Sequence, residues 1–264
     1  MIRHSRRAFT LIELLIVLTI VAVLSAFLLA AVKTVRHKGD TTHSANNIRA
    51  LVLANIAYLA DNGRYAPADD KKNLRRWHGA RTTKTNGVFD PAQGFLAPYL
   101  GKSRAITPCP VFQDMLKGSG TFEEGAGGYG YNATYIGGTP DLRWNKDGTR
   151  VSATAANIER PATTVMFTST AYARAKGLQE YPYCEPPMWD FGNGPEGDRP
   201  SPTVHFRFDG KALAAWCDGH VSFEFPLDRP EGTNPHDGDT KGKNLGWFGP
   251  DENNGYWNPR REEP

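Results

Sequence analysis

Cys217, Asp218 and His220 stand almost side by side, and His205 precedes Asp218 by twelve intervening residues. A cysteine among histidines is the combination that could make a thiolate nucleophile with a general base. Against that chemistry, Asp218-Gly219 reads as the turn between two strands, and no oxyanion hole is visible beside it. His205 and His220 read instead as polar residues satisfied at strand ends. A second candidate lies in Asp237-Gly238-Asp239-Thr240-Lys241-Gly242, which begins like a calcium loop. Lys241 occupies a position that needs an oxygen ligand, and Phe248 stands where the closing Glu belongs, so this is not an EF-hand. The third candidate is a single carboxylate, Glu13, inside an otherwise apolar run.

Glu13 has the most unusual surroundings. A basic leader with Arg3, His4, Arg6 and Arg7 precedes the apolar run Phe9–Val32. As a helix that run is about 36 Å long, enough to cross a hydrocarbon core of about 30 Å. Only helices and closed barrels satisfy their backbone groups in lipid, and one isolated segment cannot close a barrel. A carboxylate there costs at least ~2.5 kcal/mol and needs a partner. If the leader were cut after Ala8, Phe9, one helical turn from Glu13, would carry a new α-amine. The pair could form within one chain or, better, between neighbours. An ordinary secretory signal is the competing reading, with Ala26, Ala30 and Ala31 imitating its small-residue cleavage site. Its apolar core is only ~7–15 residues, however, and this run is longer. A plain signal anchor with an incidental Glu13 is the other.

The stretch Ala8-Phe9-Thr10-Leu11-Ile12-Glu13 resembles the class III signal peptide of type IV pilins and type II secretion pseudopilins. The resemblance implies that a prepilin peptidase cuts before Phe9 and methylates its amine, and that Glu13 guides assembly by meeting the N-terminus of an adjacent subunit. The family's usual residue before the cut is Gly; here it is Ala8.

Length and composition suit one domain plus an anchor: 264 residues, 39% hydrophobic and 22% charged. The formal charge of +3 comes from the leader. Without Arg3, Arg6 and Arg7, 28 basic residues face 28 acidic ones, so bulk charge gives no argument for nucleic acid. The leader arginines favour a cytoplasmic N-terminus, although Lys33, Arg36 and Lys38 on the far flank blur the asymmetry. Cys109, Cys184 and Cys217 permit one disulfide in an oxidising compartment, with one thiol left over; each also reads as a small buried hydrophobe.

The helix is expected to continue past the apolar run, because Ile48, Leu51, Val52, Ile56 and Leu59 recur at helical spacing. Asn46, Asn47, Arg49 and Asn55 are read as its polar face. A bend or softness is expected at Gly39-Asp40-Thr41-Thr42, and Asp61-Asn62-Gly63 is the stop. A turn or short helix is expected over 92–100 and a strand over Thr163–Thr170. Val204–Phe208, Lys211–Cys217 and His220–Phe225, joined by Asp209-Gly210 and Asp218-Gly219, then read as a three-stranded meander. Val204, Phe206, Phe208, Trp216, Val221, Phe223 and Phe225 would press onto the helix. The glycosylation pattern Asn132-Ala133-Thr134 is discounted as a chance match.

Cys109-Pro110 and Tyr129-Gly130-Tyr131-Asn132 resemble pseudopilin landmarks. Asp61–Pro67 is similar to the Gly-x-Tyr-Pro exit of that family, with Ala66 inserted. His205, the spacer and Asp218-Gly219 resemble a histidine-spacer-Asp-Gly module attached to prepilin-type proteins, with a spacer longer than the usual nine residues. Major pseudopilins bind calcium through C-terminal loops, which implies Asp237, Asp239, Asp251 and Glu252 as possible ligands. A carbohydrate groove at Trp247, Tyr256 and Trp257 competes with core packing for those aromatics.

The organisation that follows is a leader (1–8), an assembly helix (9–32), an amphipathic continuation (33–62), a head (63–227, with the meander at 203–225) and a Gly/Asn/Pro-rich tail (228–264). The expected fold is α+β, a long N-terminal helix packed on a small antiparallel sheet with loop-rich insertions. The resemblance implies a non-enzymatic pseudopilin, single-pass in the bacterial inner membrane with a periplasmic head, forming a filament of a type II secretion-like system. Its partners would be prepilin peptidase, other pilin or pseudopilin subunits, membrane lipid and, indirectly, an assembly platform and secretion ATPase. A surface type IV pilin and a membrane-tethered domain that never polymerises are the alternatives.

Overall fold

The computed structural model describes residues 10–83, 87–116, 123–140, 145–195, 199–228, 232, 234 and 238–260. The chain divides into two compact units, Met1–Asp40 and Thr41–Pro264. Helix α1, Leu11–Asn62, is continuous and contributes to both. It runs unbroken through Gly39–Thr42, and a Cβ on Gly39 would meet nothing within 4 Å. Gly63, in the left-handed conformation (φ 71°), ends it and donates its N–H to the Leu59 carbonyl at 2.8 Å.

In the second unit, short elements follow: β1 (Arg75–Arg76), β2 (Gly79–Ala80), α2 (Pro110–Met115), β3 (Tyr129–Tyr131), β4 (Val165–Ser169), β5 (Tyr172–Arg174) and β6 (Gly177–Gln179). Then come β7 (Val204–His205), β8 (Ala212–Trp216), β9 (Val221–Glu224) and β10 (Leu245–Gly246). The main sheet has the order β3-β4-β8-β9, antiparallel throughout. The region expected to turn near 92–100 forms two 3₁₀ turns, Pro91–Gln93 and Ala97–Tyr99. The fold is the α+β arrangement expected from the sequence.

The meander is corrected in one strand. β8 and β9 form a hairpin across Asp218-Gly219, with Leu213 opposite Phe223. The Asp209-Gly210 turn is also present, with both residues at positive φ and Phe208 bridged to Lys211. Upstream of that bridge, however, β7 leaves the sheet and pairs with β10, while β4 takes the place beside β8. β4, buried along its whole length, fills the side of β8 that the meander would have given to Val204–Phe208.

β8 explains the layers. Leu213, Ala215 and Cys217 face a core shared with Ile48, Leu51 and Val52 of α1, whereas Ala212, Ala214 and Trp216 face Val204, Phe206, Trp247, Phe248 and Trp257. A strand covered on both sides reads as a continuous apolar run rather than an alternation. The expected helix-facing set therefore splits. Phe208 and Val221 join the helix side; Val204, Phe206 and Trp216 face away from it; Phe223 and Phe225 are 39% and 65% exposed. The tail is part of the core: Trp257 donates its indole N–H to the Cys184 carbonyl at 3.0 Å, and Trp247 donates to that of Glu185 at 3.1 Å. Core packing, not a carbohydrate groove, accounts for these aromatics. Trp257→Ala is expected to destabilise the head by about 3–5 kcal/mol, read from the urea midpoint.

Asn55 is a second correction. It is fully buried on the apolar face of α1, where its amide donates to the Tyr131 hydroxyl at 2.9 Å and accepts from the Ala66 N–H at 2.8 Å. Tyr131 in turn donates to the Ala66 carbonyl and stacks on Phe167 at 4.7 Å. The Tyr-Gly-Tyr-Asn landmark is thus buried sheet. A Cβ on Gly130 would lie 2.6 Å from the Tyr183 carbonyl carbon, because residues 182–184 run against β3. Asn132 is wholly buried, its amide donating to the carbonyls of Val165 and Trp257, which keeps its sequon inaccessible. All three cysteines are buried and free.

Candidate functional site: the N-terminal helix and its cap

The start of α1 is built by two residues. Thr10 precedes the helix, and Glu13 is its third residue. Glu13 Oε2 accepts from the Thr10 N–H at 2.9 Å and from the Thr10 hydroxyl at 2.8 Å, while Thr10 Oγ1 accepts from the Glu13 N–H at 3.2 Å. This reciprocal pair is a capping box: each side chain satisfies a backbone donor that the first turn cannot satisfy itself. The carboxylate also sits at the positive end of the helix dipole. Among the described residues, both bonds from Thr10 fall on Oε2 and none on Oε1.

Beyond the cap, the apolar side chains point outward all round the helix. Leu11, Ile12, Leu14, Leu15, Ile16, Val17, Leu18 and Phe27 all stay exposed, up to 82% for Leu11. Thr19 turns its hydroxyl onto the Ile16 carbonyl at 2.8 Å, so even this polar group is satisfied within the helix. α1 is long and apolar enough to cross a membrane, with none of its apolar window buried in the molecule. A surface of this kind is stable only in lipid or against other helices like itself.

The other sequence-derived positions are placed as follows. Ala8 and Phe9 lie outside the described residues, as does Asp237. His205 is buried on β7, its Nδ1 accepting from Arg207 Nη1 at 3.1 Å. Burial, and then the Arg207 charge, lower its pKa to about 2. Asp218 caps its own turn, accepting from the His220 N–H at 3.0 Å and approaching His220 Nδ1 at 2.7 Å. Cys217 N bonds the Thr164 carbonyl at one end of β4, whereas the His205 carbonyl accepts from Ser169 at the other. Five strand residues separate those anchor points, about 16 Å, so His205 and Asp218-Gly219 do not converge on one site. Burial pushes the Cys217 thiol pKa up, the opposite of an activated nucleophile.

In the tail, Asp239 Oδ1 accepts from the Gly242 N–H at 2.7 Å, and Asp251 forms a two-bond ion pair with Arg199, with Nη1 to Oδ1 at 2.9 Å. Glu252 opens the 3₁₀ segment Glu252–Trp257. Among the described residues no group of three or more His, Cys, Asp or Glu side chains could hold a metal ion. The functional residue that the sequence reading missed is Thr10, although Thr-x-x-Glu ahead of an apolar run is a recognisable capping signature.

One helix that fits a single-pass membrane anchor, and a head with its own core, define the class. The family model described as the prokaryotic N-terminal methylation motif matches residues 3–29. That motif, followed by the long apolar helix, is the pattern of a type IV pilin-like protein, and it implies processing by prepilin peptidase and assembly with other pilin subunits. No curated protein and no solved structure is a significant match to the chain.

Proposed function

We propose that this chain is a structural pseudopilin of a type II secretion-like system. Prepilin peptidase removes residues 1–8 and methylates the new amine on Phe9. The processed chain then waits as a monomer in the inner membrane, with its head on the periplasmic side. An assembly platform, driven indirectly by a secretion ATPase, transfers it into a periplasmic filament. The chain itself performs no chemistry.

The observation that carries this reading is the outward-facing apolar helix with a single capped carboxylate at its start. In lipid, Glu13 costs at least ~2.5 kcal/mol. In a filament, the α-amine of a neighbour's Phe9 can reach Oε1 while Oε2 stays on Thr10, so capping and subunit pairing use different oxygens of one carboxylate. The apolar faces of the helices then cover one another.

Mass spectrometry of protein extracted from the native membrane tests the first step. The expected chain begins at Phe9 and carries one methyl group on its amine. A retained Met1, or cleavage near Ala31, contradicts the proposal. Retention of the filament in the periplasm, rather than its recovery by shearing cells, separates the secretion role from that of a surface pilin.

A further inference from the structure

The head carries a groove that neither its core nor the assembly helix uses. Two adjoining cavities, of about 290 and 230 Å³, share Thr139, Pro140 and Asp190 along their common wall. Arg64 and Arg260 line the outer end of the first, and Trp189 and Phe191 line the second. Each cavity falls near or below the lower end of the ~300–1,000 Å³ typical of small-molecule sites, so each suits one ring of a ligand and the pair suits a short linear one.

The lining has three parts with different chemistry. The first cavity is lined by two arginines and, among the described residues, one carboxylate. Arg64 spends one N–H on the Ser152 carbonyl at 2.7 Å, and the Arg260 guanidinium makes no hydrogen bond or ion pair to a described residue. The carboxylate, Asp190, is already engaged, accepting from the Tyr135 hydroxyl at 2.8 Å and from the Gly192 N–H at 2.9 Å. Among the described lining residues the guanidinium groups therefore outnumber the carboxylate, and arginine can bind a ligand carboxylate through two parallel bonds. Both cavities share Thr139, whose hydroxyl donates to the Val151 carbonyl at 3.2 Å, and Asp190, so the oxygens here serve as acceptors. At the far end, Trp189 and Phe191 are stacked with ring centroids 6.0 Å apart, and Phe191 remains 63% exposed. With Phe223 and Phe225, Phe191 is one of three exposed phenylalanines among the described residues of the head, and it lies stacked on the half-buried Trp189 as an apolar surface.

We infer that this groove binds an acidic oligosaccharide. The sugar carboxylate sits between Arg64 and Arg260, the ring hydroxyls meet Thr139 and Asp190, and the C–H face of the next sugar lies on Phe191. A neutral sugar leaves the arginines unmatched, and an acidic peptide leaves the aromatic platform unused.

The test uses the full chain in a polyoxyethylene detergent, which carries no sugar headgroup, and isothermal titration with tetragalacturonate. Maltotetraose serves as the uncharged probe and tetraglutamate as the charged probe without rings. Tetragalacturonate is expected to bind at least tenfold more tightly than either. Arg260→Ala and Phe191→Ala are each expected to weaken it tenfold or more, whereas Phe225→Ala, an exposed aromatic elsewhere on the head, leaves it unchanged. Unchanged near-ultraviolet circular dichroism establishes that each variant is folded. The inference is overturned by absence of tetragalacturonate binding at millimolar concentration, by affinity that Arg260→Ala and Phe191→Ala do not alter, or by equal binding of tetraglutamate.

Discussion

Glu13→Leu is expected to leave the head folded and the chain in the membrane while reducing its incorporation into filaments by more than a hundredfold. The magnitude comes from breaking a buried charge pair, which leaves the surviving amine unpaired and costs about 3–5 kcal/mol. Two further variants separate the two jobs of this side chain. Glu13→Gln keeps a side chain able to complete the capping box with Thr10 but removes the charge, and it is expected to be nearly as defective. Thr10→Ala removes the cap and keeps the charge, at a cost of about 1 kcal/mol, and it is expected to assemble at a modestly lower level. Cross-linking of subunits within isolated membranes, together with pelleting of filaments, measures all three. If Thr10→Ala is as severe as Glu13→Leu, capping and not pairing between chains explains the carboxylate.

Acid is expected to remove stability that two buried histidines contribute to the head, starting below pH 6.5. His78 is fully enclosed between Trp77 and Phe89, and among the described residues neither ring nitrogen has a hydrogen-bond partner. Burial, and then the charges of Arg76 and Arg81, hold its pKa well below the usual histidine value; Glu123, paired to Arg76, is the acidic group of this cluster. His205, facing Arg207, is held at about 2. Both are neutral in the folded head and protonate near pH 6.5 in the unfolded chain. Their contribution to stability is therefore complete above pH 6.5 and declines as pH falls towards the folded-state values. The slope is about 1.4 kcal/mol per pH unit for each, so by pH 4.5 His205 alone accounts for roughly 3 kcal/mol and His78 adds in the same direction. Glu180 and Glu185, whose pKa values burial raises, act oppositely, so variants are needed to isolate the histidines. His78→Phe replaces an unpartnered buried polar ring, and His205→Gln retains an acceptor for Arg207. Each is expected to flatten the dependence of the urea midpoint on pH between 7.5 and 4.5. An unchanged slope in both rules out this account.

Local rules made much of this molecule readable. The left-handed stop at Gly63, strand β4 and the β8–β9 hairpin all follow from short-range turn and propensity signals. Partner choice between distant strands is not local. Val204–Phe208 alternates as regularly as His220–Phe225, yet only the latter stays in the main sheet, because β4 competes for β8 from more than forty residues away. Asn55 was misplaced by its polarity, although it stands four residues after Leu51 and four before Leu59, on the buried stripe. Glu13 and its apolar surroundings, the candidate assembly site, stand out in the sequence itself. The groove was not, since its walls come from residues 64, 139, 189–191 and 260.

The second buried layer ties the end of the described chain to its middle, since Asn132 donates to the Trp257 carbonyl across 125 residues. While a ribosome is still synthesising the protein, β8 therefore lacks the part of its cover that Trp247, Phe248 and Trp257 supply until residue 257 has emerged. The N-terminal span, by contrast, is available for insertion once its first few dozen residues are made. The membrane-capable span is thus complete well before the head can finish packing.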